Sequence, residues 1–88
     1  MKNIAKVTRV FGVPPITFDF DCEIRVLSNI PPRFLVRANG RSVMVFLGDP
    51  ISNPFAWAVF PVKNDVAVAR KHDTDLLLKL IKQGLEDQ

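Results

Sequence analysis

Asp19, Asp21 and Glu23 occupy alternate positions of the stretch Ile16–Val26, the spacing that puts side chains on one face of a strand. Carboxylates aligned in this way could hold a divalent cation or divide acid and base roles. Either chemistry needs a concavity that excludes water, and a row on a flat strand supplies none. The row is better used as a charge ladder with Arg33 and Arg37 across the sheet, each pair contributing roughly 0.2–1 kcal/mol. Cys22 is the only cysteine and falls on the opposite, apolar parity, where burial keeps a thiol protonated and inert. One cysteine builds neither an internal disulfide nor a thiolate metal site. His72 is the only histidine; it stands between Lys71 and Asp73 with no nucleophile beside it, and a surface or capping role fits best. The chain holds no Gly-x-Ser-x-Gly, no His-Glu-x-x-His, no paired Cys-x-x-Cys and no glycine-rich phosphate loop. The residues predict no catalytic site, no metal and no cofactor.

A surface is the sharper candidate for function. Asn39-Gly40 lies between two apolar runs and predicts a two-residue hairpin, because both central residues of that turn need positive φ. With this turn Ala38 faces Arg41, Val36 faces Val43 and Phe34 faces Val45. One face then carries Phe34, Val36, Val43, Val45 and Leu47. The other carries Arg33, Leu35, Arg37, Ser42, Met44 and Phe46, a mixture of cations and large apolar groups. Protein interfaces have that composition, and single-stranded nucleic acid could also stack on it. Arg41 belongs to the same acid-free stretch, residues 29–48. The candidate partner-binding set is therefore Arg33, Leu35, Arg37, Arg41, Met44 and Phe46. A structural reading competes: a further layer, such as the N-terminal segment, would cover Leu35, Met44 and Phe46 while the arginines reach water. Trp57 alternates with Phe55 and Val59 and fits the core better than an interface. The loop 48–54, with two prolines, is either a rigid turn or a recognition loop.

These residues need elements to position them. Ile16–Val26 alternates apolar and polar without a break, predicting one strand with Ile16, Phe18, Phe20, Cys22, Ile24 and Val26 inside. Residues 3–13 satisfy both a helix, capped by Asn3, and a strand, favoured by Ile4, Val7, Thr8 and Val10. Ser28–Pro32 is a turn, Arg33–Ala38 and Arg41–Leu47 form the hairpin, and Phe55–Val62 is a further strand. Lys63-Asn64-Asp65 turns the chain into a last strand, Val66–Arg70. Residues 73–86 predict a helix capped by Asp73 or Thr74, with Leu77, Leu80, Ile81 and Leu85 on its apolar face. Asp75–Lys79 and Lys82–Glu86 are favourably spaced pairs along it, and Leu76 and Leu78 widen the stripe. Val66-Ala67-Val68-Ala69-Arg70-Lys71 followed by Asp73-Thr74-Asp75-Leu76-Leu77 resembles the strand-then-helix segment near the C-terminus of periplasmic amino-acid-type solute-binding proteins. That resemblance implies a strand running into a helix and transfers no ligand residue.

The elements predict one α+β domain over residues 1–88. Its antiparallel meander sheet has four to five strands, the C-terminal helix packs on one face, and the N-terminal segment is a strand or short helix. An apolar fraction of 48% suits a chain that folds around its own core. The net charge of +3, from 12 basic and 9 acidic residues, is weak for a dedicated nucleic-acid binder. No signal-peptide pattern opens the chain and no apolar run approaches a membrane span. A cytoplasmic, non-enzymatic protein-binding module is expected, acting as regulator, inhibitor or accessory subunit; an inhibitor of phage or mobile-element type fits the same description. The alternative is a nucleic-acid-binding module using the basic sheet face. A protein partner is expected, a homodimer is compatible, and no membrane is involved.

Overall fold

A computed structural model describes residues 6–7, 16–49, 53–62 and 65–88. Strands β1 (Lys6–Val7) and β2 (Ile16–Thr17) pair antiparallel as a small ribbon. Strands β3 (Glu23–Asn29), β4 (Pro32–Ala38), β5 (Arg41–Asp49), β6 (Asn53–Val62) and β7 (Asp65–Arg70) form one antiparallel meander in chain order. Helix α1 (Thr74–Glu86) packs on one face of that sheet, over β5, β6 and β7 and least over β4. The fold is α+β, as expected. Residues 6 and 7 resolve the N-terminal ambiguity locally in favour of a strand; the remainder of segment 3–13 lies outside the described residues, as do the centre of loop 48–54 and the Lys63-Asn64 turn.

The Asn39-Gly40 turn takes its expected geometry, with φ of 54° and 73°. It sets the register Ala38↔Arg41, Val36↔Val43 and Phe34↔Val45. Strand parity then sends Phe34, Val36, Val43, Val45, Trp57 and Val59 to the helix side, where each is at most 1% exposed. Leu77, Ile81 and Leu85 of α1 close over them. Trp57 meets Phe34 edge-to-face at 5.6 Å between ring centres, which makes it a core residue. Asp73 caps α1 by accepting a hydrogen bond from the Leu76 amide at 3.0 Å.

Residues 16–26 do not form one strand. Asn29 pairs with Pro32 and Glu23 with Arg37, beside the Asn39-Gly40 turn. Upstream of Glu23 only Ala38 of β4 remains before the turn. The chain leaves the sheet and folds across its inner side, burying Ile16 and Phe18 in the core at 2% and 0% exposure. Phe20, Cys22 and Ile24 pack against the same core. The alternation persists through the break because side-chain parity does not require a hydrogen-bonded partner. Val26 departs from the expected stripe: it opposes Phe34 on the edge strand, next to a bulge at Leu27, and is 40% exposed. On α1, Leu76 faces outward at 38% exposure rather than widening the buried stripe.

Candidate functional site

Cross-strand register assembles the side of the sheet opposite α1. Arg25↔Leu35, Leu35↔Met44 and Met44↔Phe60 make one row across β3 to β6. Arg33↔Phe46, Phe46↔Ala58 and Ala58↔Val68 make a second row across β4 to β7. At ordinary strand spacing each row spans about 14 Å, with about 7 Å between rows. Leu35, Met44 and Phe46 are half-buried by their neighbours and take no part in the core. Phe60 and Val68 are 48% and 55% exposed. Among the described residues no element lies over this face.

The arginines are distributed unevenly around the apolar band. Arg33 and Arg37 flank Leu35 along β4, and Arg25 lies beside it on β3, so three exposed cations surround one aliphatic side chain. Arg70 stands on β7 opposite Ala56 at the far corner. Among the described residues none of these four is ion-paired to a carboxylate. This corrects the expected charge ladder. Glu23 does oppose Arg37 in register but forms no ion pair with it, while Asp19 has left the sheet and binds Lys82 of α1 at 2.7 Å. Lys82 also lies 5.6 Å above the Phe20 ring and serves the crossing segment, away from its expected neighbour Glu86.

Of the predicted partner-binding residues, Arg33, Leu35, Arg37, Met44 and Phe46 share the outer face. Arg41 does not. It has the parity of Val43 and points to the helix side, where its guanidinium donates hydrogen bonds to the Leu85 and Glu86 carbonyls at 3.2 Å each. Those carbonyls are orphaned by the helix end, and a cation there complements the helix dipole. Phe60, Val68, Arg25 and Arg70 complete the face and were absent from the sequence-derived set. Their signal was strand parity: with Trp57 and Val59 inside, Phe60 had to face outward.

Two shallow concavities lie at the hairpin tip. The one of about 220 Å³ is bordered by Phe20, Arg41, Lys82 and Leu85, whose cations already bind carbonyls and Asp19. The other borders Cys22, Glu23 and Arg37. Burial, followed by the negative charge of Asp21, pushes the Cys22 thiol pKa above its ordinary value. His72 is exposed in the turn before α1. Among the described residues, histidine, cysteine and carboxylates do not gather into a group able to hold a metal. Nor is any helix among them long and apolar enough to cross a membrane.

No protein-family model matches this chain, and neither a curated protein nor a solved structure matches it.

Proposed function

We propose that the protein is a non-enzymatic binding module that docks another protein through the outer sheet face, as a regulator, inhibitor or accessory subunit. The observation that carries this reading is the apolar band Leu35, Met44, Phe46, Phe60 and Val68, which among the described residues has no element over it and is rimmed by arginines without an ion-pair partner. A contiguous apolar patch with a polar rim is characteristic of an interaction site, and arginine, methionine and aromatics are the enriched residues of interface centres. The unpaired thiol suits a reducing compartment, and the cytoplasm is the proposed setting.

Single-stranded nucleic acid is the second reading. It is favoured by Phe46 and Phe60, which lie on adjacent strands and offer rings for base stacking, with Arg33 opposite Phe46 and not ion-paired among the described residues. The protein reading is preferred because Leu35, Met44 and Val68, most of the band, have no ring to stack.

The test starts with a protein captured by the wild-type chain, then purified and titrated directly. Met44→Asp with Phe60→Asp should weaken binding at least about 100-fold, as expected for loss of an interface centre. Leu76→Asp, on the exposed side of α1, should leave affinity unchanged. Equal binding by the outer-face variant overturns the proposal. Affinity for oligo(dT) that falls steeply with salt, with no protein bound, supports the nucleic-acid reading instead.

A further inference from the structure

We infer that the occupant of the outer face is an acidic amphipathic helix of the partner protein, its carboxylates seated on the triangle of Arg25, Arg33 and Arg37 and its apolar stripe on Met44, Phe46 and Phe60. This rests on the docking reading above and specifies the chemistry of the partner. Charge complementarity selects the occupant. By register Arg25, Arg33 and Arg37 flank Leu35 on two strands, and among the described residues none is ion-paired to a carboxylate, so a carboxylate arriving from outside displaces no ion pair. With Glu23 the one acid opposite Arg37, the cluster stays net positive. Guanidinium forks match carboxylates geometrically and lose little hydration on pairing. A second copy of this chain is disfavoured on the same ground, because docking two outer faces brings arginine rims of like charge together.

The other face of the sheet indicates the form of the occupant. It accommodates α1, a helix of 13 residues, through one stripe of Leu77, Ile81 and Leu85. The outer face belongs to the same strands, so a helix of three to four turns, about 20 Å long, matches its extent. Its apolar band lies between the arginine triangle on β3 and β4 and Arg70 on β7, and so calls for a helix with leucine-like residues in one stripe and acids flanking it.

The test uses the full chain and two synthetic helical peptides with the same leucine stripe, one flanked by glutamates and the other by lysines. Fluorescence anisotropy should show the glutamate peptide binding at least roughly tenfold tighter than the lysine peptide, with the gap closing at high salt. Arg25→Gln, Arg33→Gln and Arg37→Gln combined should abolish that preference with an unchanged melting curve, and the corresponding lysine variant should restore part of it. Equal binding of both peptides, no binding of the glutamate peptide at millimolar concentration, or tighter binding of oligo(dT) overturns the inference. If the purified partner is lost with Met44→Asp and Phe60→Asp but retained by the triple glutamine variant, the docking reading stands and only the acidic helix fails. If the partner survives both sets of changes, the docking reading fails first.

Discussion

Cys22, Asp19 and Arg41 show how context assigns a role to a residue type. The Cys22 side chain is half-buried on the core side of the crossing segment, and both burial and the adjacent Asp21 disfavour its thiolate. A thiol whose pKa is raised by folding adds stability that is fully present below its ordinary pKa. That stability is lost as pH rises through the raised value. Reactivity follows the same sign, since only the thiolate attacks. Iodoacetamide at pH 8 should therefore modify native Cys22 several-fold more slowly than the urea-unfolded chain, and the difference should shrink at higher pH. Equal rates at pH 8 would show that the fold gives the thiol no protection. Asp19 and Arg41 likewise serve the architecture: one ties the crossing segment to α1, and the other closes the helix end.

At the scale of elements, α1 depends on its cap and on its close approach to the sheet. A Cβ built on Gly84 would lie 2.7 Å from the Pro61 carbonyl oxygen and 2.8 Å from Cγ1 of Val43. In a free helix, alanine in place of glycine is favourable by about 1 kcal/mol. Here the methyl group meets backbone that cannot give way, so the sign should reverse. Gly84→Ala is expected to destabilise by about 1–3 kcal/mol, the usual cost of overpacking. Asp73→Ala should cost about 1 kcal/mol through loss of the Leu76 amide bond. Thermal melts of both variants provide the measurement; a higher melting temperature for Gly84→Ala would mean that α1 sits farther from β5 and β6. The hairpin end of α1 is also fastened by Gln88, whose side-chain amide donates to the Ser42 carbonyl at 2.6 Å and accepts from the Ser42 amide at 3.4 Å.

The whole molecule is a sheet with two unlike sides. The inner side is covered twice, by α1 and by the crossing segment with Phe18, whereas the outer side meets no further layer among the described residues. Matched substitutions should separate the two. Phe18→Asp places an unpaired charge in a fully buried site and should unfold the protein, because such burial costs several kcal/mol. Phe60→Asp alters a ring that is already 48% exposed and should shift stability by less than about 1 kcal/mol. Circular dichroism melts of the two variants decide it. A comparable loss for Phe60→Asp would mean that the outer face is packed.

What could be read from the chain alone was local. Asn39-Gly40 determined the hairpin and its register, because few residues tolerate consecutive positive φ. The Asp73 cap and the leucine spacing determined α1, and period-two alternation determined which side each residue from Ile16 to Ile24 takes. Tertiary structure decided the partners. Alternation carries parity but not pairing, so the crossing of residues 18–22 followed from β4 having only Ala38 left beyond the pairing of Glu23 with Arg37. The transfer of Asp19 to Lys82 and of Arg41 to the helix end followed from where α1 came to rest. The face bearing Arg33, Leu35, Arg37, Met44 and Phe46 was legible as a face, and Phe60 and Val68 joined it only when β6 and β7 took their places beside β5. Which side of the sheet received the covering layers was likewise a long-range outcome, because the helix packs where the larger apolar surface, built from Phe34, Val36, Val43, Val45, Trp57 and Val59, can be buried.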